Sequence, residues 1–305
     1  MVNKLTKRKL KLFAVYDLWK VAVVSVLACA ILLLAFNFVA KKPSDGQEFK
    51  ILIDKTVNMG DDINDLFENL FTKAPEQGGF SYEMLKAETV IINGTDENPD
   101  AYLLNSVYGD LYYDDVVILQ EDLLEIYVNN HMATDINVYI SDAKAFLISN
   151  GLCDANGVFN ETAVYDYFDR TRKGDSRFRT KEKKEQGRKD ELERLKGIWF
   201  MANALENCLR ANPNLLDKER EYNYYTLPQK GVYALRLGAL IGKDGADISN
   251  LFNIKHVKED TEEIYYSADG LYLAIGSNKE ENGDLYYEML SVVYTLIKTY
   301  TTYLD

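Results

Sequence analysis

Residues 115–130 read DVVILQEDLLEIYVNN. The first five, DVVIL, are a compact apolar run of strand length, and residues 121–130 continue with helical spacing. Strand followed at once by helix is also the order upstream. Residues 49–54, FKILID, form a strand candidate, and residues 61–73 place Ile63, Leu66, Phe67, Leu70 and Phe71 on one helical face. Residues 84–93 supply another strand that stops at Gly94, and residues 98–109 a further helix. Strands alternating with helices imply βαβ crossovers, hence an α/β fold with a mainly parallel sheet.

Ahead of this pattern lies a different stretch, residues 21–40, VAVVSVLACAILLLAFNFVA, without one charge between Lys20 and Lys41. Twenty helical residues reach about 30 Å, the thickness of a bilayer's hydrocarbon core, so the stretch reads as a transmembrane helix. Residues 1–20 carry six basic side chains against Asp17, a net of +5, which leaves −18 for the rest of a chain of −13. That asymmetry places the N-terminus in the cytoplasm. The organisation expected is a cytoplasmic basic segment (1–20), a single span (21–40) and an extracytoplasmic domain (41–305). A cleaved signal peptide fits less well, because Phe38 and Ala40 make a poor cleavage site. A lipobox around Cys29 fits poorly too, since eleven uncharged residues follow it. With 47% hydrophobic and 27% charged residues, the chain has ordinary globular composition.

Further along, residues 141–150 and 161–170 read as helices, the first stopping at Gly151. Residues 170–196 hold twelve basic and six acidic side chains, with Gly174 and Gly187 interrupting the helical pattern. Arg170, Arg172, Lys173, Arg177, Arg179, Lys181, Lys183, Lys184, Arg188 and Lys189 are therefore the candidate interaction surface, either for a polyanion or acidic partner or as a solvated face whose charges pair locally. Residues 192–210 put Leu192, Leu195, Trp199, Ala202, Leu205 and Leu209 on one side, a helix that docks on the core and ends at Asn212-Pro213. Residues 231–242 read as a buried strand, and 263–267 with 271–276 as a pair around the Asp269-Gly270 turn. A last helix, from 283 to about 303, has an apolar face wide enough for the core.

Four stretches together resemble a known group. YDLWK at 16–20 leading into the span, ETVIING at 88–94, DVVILQEDLLEIYVNN at 115–130 and ADGLYLAIGSNKEENGDLYYEML at 268–290 are similar to uncharacterised single-span envelope proteins of Gram-positive bacteria. The outer domain of those proteins looks like a lobe of a type 2 solute-binding protein. The resemblance covers about half of the outer domain and leaves residues 141–220 as a helical, charged insertion. It implies a membrane-anchored binding module accessory to transport or sensing, with a small-molecule or peptide ligand or a membrane-protein partner. The competing reading is a non-catalytic envelope scaffold acting through residues 170–196 or through the span.

No motif forces a reaction: HExxH, GxxxxGK[ST] and GxSxG are absent. No catalytic residue, metal ligand or cofactor is therefore assigned. His131 and His256 are isolated from each other and from the cysteines, which argues against zinc. Asp154, Asn156, Asn160 and Glu161 around Gly157 miss the spacing of a calcium loop and read as an Asn-Gly turn. Cys153 and Cys208, the two cysteines after the span, form either one disulfide or two buried thiols. The 22 tyrosines read mainly as packing residues, and an acidic outer domain is a poor match for nucleic acid.

Overall fold

The structure is a computed structural model that describes residues 18–39, 45–92, 115–224, 227–258, 260–277 and 285–305. The chain divides into two units, Met1–Pro43 and Ser44–Asp305. In the first, α1 runs over Leu18–Val39. Its side chains are described over residues 19–34, all of them exposed. Over the described residues, no helix is long and apolar enough to cross a membrane. The structure thus supplies a helix over most of residues 21–40 but does not itself carry the expected span.

The second unit is built on a six-stranded sheet. Strand β1 (Glu48–Asp54) lies between β3 (Lys86–Ile92) and β4 (Val116–Gln120), parallel to both. Strand β11 (Leu271–Gly276) runs antiparallel to β4, and along its other edge β8 (Ala234–Arg236) and β5 (Ala133–Thr134) pair antiparallel to it. Five strands therefore point one way and β11 opposes them, a mixed α/β sheet that is mainly parallel. The helix expected at 98–109 lies outside the described residues.

Apolar residues on both faces make β1 and β4 central strands. Successive side chains alternate across a strand, so Ile51, Ile53, Val116 and Ile118 enter one apolar layer and Leu52, Val117 and Leu119 the other. The smaller layer is closed by α3 (Glu121–Asn129) through Leu124, Tyr127 and Val128. The larger is closed by α2 (Asp62–Thr72), α4 (Ile136–Ser149), α5 (Glu161–Thr171), α6 (Lys181–Ala211) and α7 (Met289–Tyr300). Each large aliphatic side chain so buried contributes about 1.5–3 kcal/mol relative to exposure. A separate three-stranded sheet has the order β10 (Ile264–Ser267), β9 (Phe252–Val257), β2 (Asn58–Met59), and β6 (Arg220–Tyr224) pairs with β7 (Leu227–Gly231).

Several expectations need correction. The helical segment 141–220 docks on the core, where Leu147, Val164 and Leu195 share one apolar layer with Ile51 and Ile118. Helix α4 begins five residues before 141, because Asp135 caps it by accepting hydrogen bonds from the Asn137 and Val138 backbone at 2.7 and 3.0 Å. Gly187 does not interrupt α6. A Cβ there would lie 2.6 Å from both Phe168 and Phe178, so glycine lets two rings close over the helix. Gly174, at φ +85°, does mark the break before it. Within 231–242, Gly231 ends β7 and Ala234–Arg236 form β8, followed by a 3-10 turn at Leu237–Ala239. Asp269-Gly270 is a turn, but β10 before it pairs with β9 while β11 after it enters the main sheet. The last helix is shorter than expected, starting at Met289.

Candidate functional site

The ten basic residues of 170–189 do not form one outward face. Arg172 turns inward, its Nε 2.8 Å from Glu83, and Arg177 meets Glu83 at 2.9 Å and Asp175 at 2.7 Å. Lys184 and Arg188 both hold Asp169, at 2.8 and 2.6 Å, and Arg170 lies over the Tyr167 ring. Lys173, Arg179, Lys181, Lys183 and Lys189 remain exposed, interleaved with exposed Glu182 and Glu185.

Glu83 is part of a buried ionic core that the sequence did not announce. Arg194, fully buried, donates from Nε and Nη2 to both oxygens of Glu191 at 3.1 and 2.8 Å, and from Nη1 to Glu288 at 3.2 Å. Tyr82 donates to Glu191 at 2.8 Å, and the Ser81 backbone N–H donates to Glu288 at 3.4 Å. Gln47 donates to Glu83 at 2.9 Å. Desolvation alone would raise the Glu83 carboxyl, but Arg177 and Arg172 outweigh it and hold it below its ordinary range. At Glu288 desolvation wins over Arg194 and Ser81, and the carboxyl is pushed up. These groups tie the approach to β1, the loop before β3, the α5–α6 connection, α6 and the start of α7 into one body. They are satisfied by one another, which suits structure rather than catalysis.

The arrangement that open α/β sheets use for ligands is at the other end of the sheet. The chain runs from β1 to β3 on one side and only then to β4 on the other side of β1, so the carboxyl ends of β1 and β4 flank a topological switch point. Asp54 closes β1, with only 3% of its surface exposed, and accepts hydrogen bonds from the Thr56 backbone at 3.2 Å and from the Thr56 hydroxyl. Gln120, closing β4, donates to the same hydroxyl at 2.6 Å. Next to it Glu121 opens α3 and accepts from Lys218 at 2.8 Å and Arg220 at 2.9 Å. Partial burial would raise Glu121, yet hydrogen bonds from Lys218, Tyr272 and Arg220 bring it down to about 2. Arg220 is itself held by Asp217 at 2.5 Å. The switch point therefore presents amide, hydroxyl, carboxylate and guanidinium groups in fixed positions. Among the described residues it holds no nucleophile–base pair. Asp54, Thr56 and Gln120 escaped the sequence reading, although their position just after two apolar strands was the available signal.

The remaining candidates resolve individually. Cys153 and Cys208 are both free thiols, not a disulfide, each buried in the larger apolar layer, where desolvation pushes its pKa up. Around Gly157 (φ +79°) the chain makes a turn: Asp154 accepts from the Asn156 and Val158 backbone at 2.8 and 2.9 Å. Among the described residues no three His, Cys, Asp or Glu side chains converge as a metal site. The His256 ring stacks on Tyr265, and His131 packs beside Tyr222. Tyr286 and Tyr287 both pack on buried Tyr139, whereas Tyr265 and Tyr266 are exposed. Comparison with protein-family models, curated proteins and solved structures gave no match.

Proposed function

We propose that this chain is a membrane-anchored binding module, tethered by α1, whose folded unit lies outside the cytoplasm and holds a small polar ligand or peptide at the carboxyl ends of β1 and β4. One observation carries the anchor. Helix α1 has 22 residues, about 33 Å at 1.5 Å each, with Lys20 as its single charge, and apolar side chains are exposed on every side of it: Val24, Val26, Leu27, Ile31, Leu32 and Leu33 among them. A helix that is apolar all round needs an apolar surrounding, and a bilayer provides one without any partner protein. The basic N-terminal segment orients the span with its start inside.

For the binding role, support comes from the switch point and from the resemblance to solute-binding lobes. The rival reading, a scaffold acting through residues 170–196, is weakened because Arg172, Arg177, Lys184 and Arg188 are already engaged within the domain.

Labelling of intact cells with a membrane-impermeant amine reagent tests the side on which the domain works. The exposed lysines 173, 181 and 183 should react without lysis, and labelling only after lysis would overturn the reading. A thermal-shift screen of the full chain in detergent, with sugars, amino acids and short peptides, tests the ligand site. Stabilisation should be lost in Gln120→Ala.

A further inference from the structure

We propose that a cavity between α5, α6 and the Gly157 turn binds a free basic amino acid. It is separate from the sheet end and stands or falls independently of the reading above. The cavity has about 320 Å³ and is lined by Glu76, Gly157, Phe159, Glu161, Lys196 and Trp199. That volume falls within the range of about 300–1,000 Å³ common for small-molecule sites.

Local structure builds each wall. Lys196 and Trp199, three residues apart on α6, share one face of the helix. Glu161 opens α5, and Glu76 sits in the 3-10 turn Pro75–Gln77, which packs so closely on α6 that a Cβ on Gly197 would meet Pro75 at 2.3 Å. Gly157 closes the loop over the indole, where a Cβ would fall 2.1 Å from Trp199 Nε1. Among the described residues, Glu76, Glu161 and Lys196 make no hydrogen bond or ion pair, whereas Lys144 nearby is held by Glu206 at 2.5 Å and lies over the Trp199 ring, 5.9 Å from its centre.

Two carboxylates and one ammonium without a protein partner, Glu76 and Glu161 at the exposed rim, thus line one space with Phe159 and with Trp199. A basic amino acid carries the complementary set: two cationic groups, one carboxylate and an aliphatic stem. Its ammonium groups pair with Glu76 and Glu161, its aliphatic stem lies against the aromatic rings, and its carboxylate pairs with Lys196. A sugar would leave the ammonium without a counter-charge, and an anion would meet two carboxylates.

The chain has two tryptophans, Trp19 and Trp199, so Trp19→Phe leaves the cavity indole as the sole reporter. In the full-length Trp19→Phe protein in detergent, L-lysine should change Trp199 emission saturably, and equilibrium dialysis with labelled L-lysine should give the same affinity. Norleucine, lacking the side-chain ammonium, and cadaverine, lacking the carboxylate, should each bind at least tenfold more weakly. Glu161→Gln and Lys196→Met should weaken L-lysine by a similar factor without changing the unfolding midpoint. Absence of saturable binding by both methods would overturn the proposal. So would equal binding of norleucine or cadaverine, preference for glucose, or variants that bind like the parent.

Discussion

Arg194 and Glu288 stand 94 positions apart in the chain and meet with both side chains buried, Nη1 to Oε1 at 3.2 Å. Because Arg194 also grips Glu191 with two hydrogen bonds, one guanidinium joins the long helix α6 to the start of the last helix, α7. Removing it strands two buried carboxylates. Arg194→Met should therefore cost about 3–5 kcal/mol, the usual penalty for breaking a buried pair from one side. Urea denaturation checks this, and the double variant Arg194→Met/Glu288→Leu should recover part of the loss. Additive losses would show that the two residues are not coupled.

The pH dependence of this core has a defined sign. Glu83 is held below its ordinary value of 4.5, so its contribution is present above that value and is lost as pH falls through the folded value. Glu288 is raised above 4.5, so the folded state binds its proton more tightly and its ionisation opposes folding as pH rises through the raised value. Glu288→Gln should thus gain on the parent as pH rises above about 4.5, read from denaturation midpoints between pH 4 and 8. Parallel curves would contradict the assignment.

Helix propensity and packing make opposite forecasts at Gly197. Alanine is the better helix former by about 1 kcal/mol, yet its Cβ would lie 2.8 Å from the Pro75 carbonyl carbon, which is backbone and cannot rotate away. Gly197→Ala should be destabilising by about 1–3 kcal/mol, the scale of overpacking. A stabilised variant would mean that the Pro75 turn is not seated on α6.

Three thiols should titrate in the denatured, unreduced protein, since Cys29, Cys153 and Cys208 are all free. In the native state Cys153 and Cys208 should resist maleimide, being buried with raised pKa values. A count of one thiol would restore the disulfide.

The sheet was legible because β1 and β4 are apolar on both faces, a pattern that survives any tertiary context. What surrounds it was less so. Gly187 looks like a breaker in a charged run, but its missing side chain is what admits Phe168 and Phe178. The buried core was hidden because Arg172, Arg177 and Arg194 sit among solvated lysines, while Glu83 and Glu288 come from unrelated stretches. One signal was available: Glu191 and Arg194 lie four residues before Leu195 and Ile198, on the side of α6 that is buried. Charges at such positions seek buried partners. The sheet-end site depends on Thr56 bridging two strands, a contact that spacing along the chain does not encode.

Alkaline carbonate extraction of membranes from cells making the full chain tests the account most directly. The parent should stay in the membrane pellet, and Val26→Glu/Leu32→Glu, which puts two charges into α1, should move the protein to the supernatant. A parent chain that is released by carbonate, or a charged variant that stays behind, would contradict anchoring by α1.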